Sequence, residues 1–228
     1  MKSIDDSKAL VVLSGGQDST TCLFWAIEQF GRSNVSSVTF DYGQRHRIEL
    51  ESAAKIANLA GVEHTVLPID TFAALGGNAL TANSVEVESG EDAETGLPNT
   101  FVPGRNLVFL TFAAAFAYQR GIGHLVTGVA QTDYSGYPDC REDTLTSLQQ
   151  SLRLGMEFEV SLHTPLMHLS KAQTVLLARD VGALSAMAWS HTCYNGAQPP
   201  CGVCPACDLR AKGFAEAGIA DPLVARFQ

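Results

Sequence analysis

Charge is sparse in this 228-residue chain, at 17% of residues, and positive charge is sparser still. Lys and Arg number 15 against 24 Asp and Glu, a net charge of −9. That sign opposes tight binding along a phosphate backbone unless the cations gather on one face, so nucleic acid is excluded as the expected principal partner. Long apolar runs are missing too. The longest strongly apolar stretch without charge is the fourteen residues between Arg105 and Arg120, short of the roughly 20 needed to cross a bilayer, and no membrane partner is expected. The opening MKSIDDSKAL lacks the apolar run and small-residue cleavage site of a secretory signal. The expected location is therefore cytoplasmic. Neither an internal repeat nor a low-complexity tract interrupts the sequence. Its length suffices to bury about 70% of the unfolded surface, enough for one full domain.

What is present alternates. Ala9 to Leu13 reads as a strand, Ser19 to Phe30 as a helix and Ser36 to Asp41 as a strand, a βαβ opening. Arg47 to Ala60 has the helical spacing of Ile48, Ala53, Ile56 and Leu59, and Glu63 to Pro68 supplies the next strand. Asn106 to Gln119 is apolar almost all round, which predicts a core helix on the sheet, followed by a strand at His124 to Thr127 and a helix at Glu142 to Leu154. Ser170 and Gln173 form a capping-box pattern before another helix, with Gly182 as its stop. The fold class expected is α/β, a doubly wound, mainly parallel, Rossmann-like sheet. Segment 76–100 carries five acids and no Lys, Arg or His, and reads as a mobile loop, either a lid or a solvated insertion.

LSGGQDST, Leu13 to Thr20, falls where the first strand passes into the first helix, the place where open α/β sheets bind ligands. Gly15 and Gly16 permit a tight turn, Ser14, Ser19 and Thr20 offer hydroxyls, and the helix N-terminus adds unpaired N–H groups, a combination suited to phosphate. The Lys-Ser/Thr pair of a Walker loop is missing, which removes support for simple γ-phosphate hydrolysis. A Gly-Ser turn capped by Asp18 or Ser19 is the bland alternative.

Cys193, Cys201, Cys204 and Cys207 lie within fifteen residues at spacing C-x7-C-x2-C-x2-C, among Pro199, Pro200, Gly202 and Pro205. In a chain with no export signal a metal is a better first reading than disulfides. Tetrahedral Zn²⁺ on four thiolates is preferred, in a structural role because four protein ligands leave no open position. An iron–sulfur cluster and unliganded core cysteines remain the alternatives. Cys22 reads as a small core residue, and Cys140, between Asp139 and Arg141, as a spectator thiol.

SGGQDS resembles the PP-loop of the N-type ATP pyrophosphatases, which hold the β and γ phosphates, attack the α phosphate and release pyrophosphate. DYGQRHRIELESA (Asp41 to Ala53), FVPGRN (Phe101 to Asn106), DYSGYPDCR (Asp133 to Arg141), PLMHLSK (Pro165 to Lys171) and the PCGVCPACDLRAKGFAEAGIADP tail follow in order. Together, from Val11 to about Pro222, these motifs resemble the 7-cyano-7-deazaguanine synthase (QueC) family of that superfamily. A local difference is SHTCY at Ser190 to Tyr194, where Trp189 and Cys193 stand further apart than in the expected Trp-Ser-Cys-Tyr pattern.

The resemblance implies a ligase that uses ATP and ammonia to turn the carboxylate of 7-carboxy-7-deazaguanine into a nitrile, with bound zinc and a homodimer. Adenylation makes a poor electrophile a good acyl donor, ammonia gives the amide, and a second activation removes water. The chain leaves no room for a glutaminase domain, so free ammonia is the expected nitrogen source. Leu13, Ser14, Gly15, Gly16, Gln17, Asp18, Ser19 and Thr20 would hold ATP, with Asp18 as ligand to Mg²⁺. Ser14, Asp18, Arg105 and Lys171 are the catalytic candidates. Gln44, Arg45, His46, Asn106, Asp133, Tyr134, Asp139 and Arg141 are the substrate-binding candidates, with Tyr134 or Tyr137 able to stack on the heterocycle. The expected division is a PP-loop domain over 1–188 and a zinc-binding segment over 189–228 packed on it. A tRNA-modifying enzyme of the same superfamily and a non-enzymatic nucleotide-binding module are the competing readings.

Overall fold

Alternation along the first strand sets the layering. Ala9, Leu10 and Val11 are all fully buried, yet successive strand residues point to opposite faces, so helices must cover both sides. The computed structural model describes residues 5–44, 46–69, 71–72, 96–131 and 137–228. Its strands are β1 (Asp5–Val12), β2 (Val35–Asp41), β3 (Glu63–Pro68), β4 (Ile122–Val126) and β5 (Ser161–His163). They run parallel in the order β3-β2-β1-β4-β5. The order reverses direction between β1 and β4, and open sheets of this kind form their ligand crevice beyond the strand ends at such a point.

On one face Ala9, Val11 and Leu13 meet α1 (Gln17–Phe30) through Cys22, Leu23 and Ala26, and α2 (Ile48–Ala60) through Ala53, Ile56 and Ala57. On the other face Leu10 joins Val38 and Phe40, Ala113, Ala114 and Ala117 of α3 (Arg105–Arg120), and Leu152 of α4 (Glu142–Met156). Each large apolar side chain buried this way contributes roughly 1.5–3 kcal/mol. The small alanines of α3 let it approach the strands closely. That helix packs on the sheet as expected, but through one stripe only, and Phe112 on its outer side is 50% exposed.

The chain continues through α5 (Lys171–Asp180), the single turn α6 (Leu184–Met187), α7 (Pro205–Glu216) and the short α8 (Pro222–Ala225). The α5 cap is the expected box: Ser170 Oγ accepts from the Gln173 N–H, and the Gln173 side chain accepts from the Ser170 N–H. Val175, Ala178, Ala183, Met187 and Phe214 bind α5, α6 and α7 into one cluster. Most of the 76–100 segment, namely 76–95, lies outside the described residues. No described helix is long and apolar enough to cross a membrane.

Candidate active site

The phosphate loop is shaped by contacts of its own and by the helices behind it. Leu13, fully buried, donates its N–H to Val38 O at 2.8 Å and its carbonyl accepts from the Thr39 hydroxyl, which fixes the strand end. Ser14 N–H donates to Ser19 Oγ at 3.2 Å, the two hydroxyls lie 3.0 Å apart, and Thr20 Oγ1 donates to Gly16 O at 2.7 Å. Gly15 has φ +86°, and a Cβ there would stand 2.4 Å from Glu49 O of α2. Gly16 caps α1 without a side-chain hydrogen bond, so the first-turn N–H groups have no partner in the helix.

Among the described residues, two buried polar atoms here have no hydrogen-bond partner: Gln17 Nε2, a donor, and Asp18 Oδ1, an acceptor. Lys171 Nζ donates to the other Asp18 oxygen at 2.7 Å. Buried polar groups are ordinarily paired, and an unpaired donor beside an unpaired carboxylate oxygen suits a bound polyphosphate with its cation. Gly128, just past β4, closes the crevice from the other side, since a Cβ there would lie 2.8 Å from Ser19 N.

Beside this loop is a second cluster. Arg105 opens α3 with its guanidinium 5.9 Å from the Tyr42 ring centroid and a side-chain hydrogen bond to Tyr42. Despite desolvation, the surrounding Tyr42, Tyr137, Tyr194 and Asp139 raise the Arg105 pKa further. Burial pushes the Tyr42 phenol up to about 12, with Arg105 opposing. Burial likewise pushes Tyr194 up, aided by Tyr137, with which it shares a hydrogen bond. Tyr137 Oη lies 2.6 Å from Thr100 Oγ1. The half-buried Glu49 carboxyl is pushed up to about 7 by desolvation that Arg105 only partly offsets. The cluster is a cationic centre walled by tyrosines, suited to a planar anionic ring compound.

The other substrate candidates divide. Asp139 is buried and accepts the Asn106 N–H at 2.9 Å, while Asn106 Nδ2 donates to Cys140 Sγ at 3.3 Å; the pair fixes the first turn of α3 next to Arg105. Gln44 turns back on β2, its Oε1 accepting from Tyr42 N–H at 2.9 Å and its Nε2 donating to Phe40 O at 3.4 Å. His46 lies against Gly196 of the cysteine segment, where a Cβ would come within 2.3 Å of its ring. Arg141 is exposed at the N-cap of α4. Arg45, Asp133 and Tyr134 lie outside the described residues. Tyr42, Glu49 and Tyr194 were absent from the sequence-derived site. For the first two the available signal was their place in Asp41 to Ala53, just beyond β2 at the carboxyl edge of the sheet.

Four sulfurs, those of Cys193, Cys201, Cys204 and Cys207, lie within 4.8 Å of one another. The Cys201 and Cys207 sulfurs are 3.9 Å apart, matching the ~3.8 Å edge of a tetrahedron with metal–sulfur bonds of about 2.3 Å. Thiols this close compete for protons. Cys204 is lowered to about 4, chiefly by the hydrogen bond from Cys207, whose own thiol is pushed up by it; the Val203 N–H lowers Cys201. The donor set fits a metal ion. Cys22 and Cys140 stand apart; burial raises the Cys22 thiol, which donates to Thr127 O at 3.6 Å.

The cysteine segment touches the phosphate loop directly. His191 N–H donates to Gly15 O at 2.8 Å, and its Nε2 lies 3.0 Å from Cys193 O. The buried Arg210 of α7 reaches Asp221 at 2.6 and 2.8 Å and the Ser190 and Thr192 hydroxyls at 2.8 and 2.9 Å. Gly213 of α7 sits so close to Lys171 that a Cβ would lie 2.9 Å from the lysine Cβ. The residues between Trp189 and Cys193 thus carry the contact to the loop.

Known proteins are similar to this chain over most of its length. The 7-cyano-7-deazaguanine synthase of Chromobacterium violaceum is 72% identical over 228 residues, covering 100% of this chain and 97% of that protein. The synthase of the same name from Laribacter hongkongensis is 68% identical over 97% of this chain and 96% of its own length. A solved structure, that of a predicted subunit of tRNA methyltransferase from Methanocaldococcus jannaschii, aligns at TM-score 0.49 and 20% identity over 75% of this chain and 74% of its own. The model of the family described as queuosine biosynthesis protein QueC matches residues 8–218, and the chain belongs to that family.

Proposed function

We propose that the chain is an ATP-dependent ligase that converts 7-carboxy-7-deazaguanine and ammonia to 7-cyano-7-deazaguanine. The observation that carries this reading is the shared wall of the two clusters. The backbone of Glu49 abuts Gly15 of the phosphate loop while its carboxyl lies within electrostatic reach of Arg105. A nucleotide in the loop and a carboxylate on Arg105 would therefore meet. Substrate carboxylate attacks the α phosphate and pyrophosphate leaves; ammonia displaces AMP to give the amide. A second activation of the amide oxygen lets it depart, and loss of the nitrogen protons leaves the nitrile.

In this reading Ser14, Ser19 and the first-turn N–H groups hold the phosphates, and the Gln17 amide donates to them, while the fully buried Thr20, whose hydroxyl donates to Gly16 O, holds the turn rather than the ligand. Lys171 steadies Asp18 and adds a positive charge beside the departing pyrophosphate. Arg105 grips the substrate carboxylate with two hydrogen bonds, and the tyrosines flank the heterocycle. Mg²⁺ would be held by Asp18 and would neutralise the phosphate charge. Zn²⁺ is the ion that the four thiolates fit best, in a structural role.

Pyrophosphate release and mass spectrometry with ATP, 7-carboxy-7-deazaguanine and ammonia test the reading, with glutamine as the alternative nitrogen source. Substrate-dependent pyrophosphate and a nitrile product are expected; ADP and phosphate would defeat α-phosphate chemistry. Asp18→Asn should lower pyrophosphate release about 10²–10³-fold with metal content and circular dichroism retained, and unchanged release would remove Asp18 from its role.

A further inference from the structure

The proposed adenylation leaves one group beside Arg105 without a task. Glu49 lies in the first turn of α2, its backbone fixed against Gly15. The titratable and charged groups facing its carboxyl come from three other elements: Tyr42 beyond β2, Arg105 on α3 and Tyr194 in the cysteine segment. Tyr137 and Asp139 stand behind, around Arg105. The neighbouring acids are engaged elsewhere, Asp18 by Lys171 and Asp139 by the Asn106 N–H. No described hydrogen bond engages the Glu49 carboxyl.

Resting on the ligase reading above, we propose that Glu49 is the general base of the nitrogen-adding step. An activated acyl group on Arg105 would have Glu49 at its side, on the wall shared with the phosphate loop. The ammonia lone pair bonds to the acyl carbon and the carbonyl π pair moves to oxygen. Glu49 carboxylate takes one N–H proton. The carbonyl then re-forms as the bond to the AMP oxygen breaks, and AMP departs with that electron pair. The amide is left uncharged and the Glu49 carboxylic acid returns its proton to solvent. A carboxyl raised to about 7 is a better base than an ordinary glutamate while still half ionised near neutral pH. Below that pH it is protonated and the step slows; above it the carboxylate is ready.

The test compares two nucleophiles on full-length, metal-loaded protein. Wild type and Glu49→Gln are supplied with ATP, Mg²⁺, 7-carboxy-7-deazaguanine and either ammonia, at fixed free-base concentration, or hydroxylamine, a far less basic amine that sheds its proton without help. The expected result is an ammonia-dependent kcat lowered about 10²-fold, within the range of general-base contributions, with hydroxamate formation falling much less. The acid limb of the wild-type ammonia profile near pH 7 should vanish in the variant. Glu49→Asp, which keeps a shorter carboxylate, should show the same selective loss at smaller size, and it serves if the glutamine variant does not fold. Equal loss with both nucleophiles, or no loss, overturns the proposal alone. Absence of pyrophosphate and hydroxamate from wild type overturns it together with the ligase reading.

Discussion

The phosphate loop and the cysteine cluster lie against each other and are held in opposite ways. The loop inherits its shape from the sheet: Leu13 is locked by Val38 and Thr39, the hydroxyls of Ser14, Ser19 and Thr20 bond within the turn, and Gly15 is wedged against α2. The cysteine cluster has little apolar material of its own; its buried residues are three cysteines and Ala206. A metal on the four sulfurs would close it. Yet the His191 N–H to Gly15 bond runs from the second region to the first, so a region shaped by the core is braced by one whose four sulfurs could hold an ion. A metal held there would link precision at the loop to metal content, although no sulfur is needed for the proposed chemistry.

Removing the metal should break this comparison most completely. Structural zinc sites contribute about 10–16 kcal/mol to the folding of small metal-bound units, so chelation or Cys204→Ser should open 189–216 to hydrogen exchange while the sheet stays protected. Trp189, set between Lys55 at 4.7 Å and Arg226 at 4.2 Å, should report the loss by fluorescence, whereas Trp25 in α1 should not. Simultaneous unfolding of both regions would show that they are one cooperative unit.

A smaller effect is expected from the loop side. Gly15→Ala combines a positive φ with a Cβ 2.4 Å from Glu49 O, and should cost about 3 kcal/mol in urea denaturation while the purified protein keeps its metal. The smallest effect lies at the seam. The Glu49 pKa is raised from 4.5 to about 7, so between those values the unfolded chain releases a proton that the folded one retains. Stability contributed by this group is full below pH 4.5, falls as pH rises towards 7, and is level above it. The slope should amount to about 1 kcal/mol once solvent screening at this half-buried group is allowed for, and should be missing in Glu49→Gln.

The two regions also differed in how plainly they could be read. Glycines and hydroxyls between a strand and a helix announced the phosphate loop, because local geometry demands those residue types; four cysteines at close spacing announced a metal for the same reason. The first four strands and the helices of the sheet followed from apolar spacing. β1 begins at Asp5 rather than Ala9 because backbone pairing to Gly121 extends a polar stretch that has no apolar signature. β5 escaped notice, being three half-buried residues, SLH, held by its partner β4. The α7 helix was hidden by Pro205, which marks a turn in sequence but occupies the first helical position in the fold. The Arg105 cluster was the least legible part. Tyr42 and Glu49, Arg105, Tyr137 and Tyr194 come from four separate stretches, and only the parallel topology gathers them.

Gly128 carries a consequence for how this protein can change over generations. With the backbone of Asp18 and Ser19 within 3 Å of the place a side chain would begin, even a single methyl would push the first turn of α1 away from β4. A lineage that altered it would have to move the start of a helix and the phosphate loop ahead of it together. The crevice is kept by a position where the absence of a side chain is itself the structural requirement.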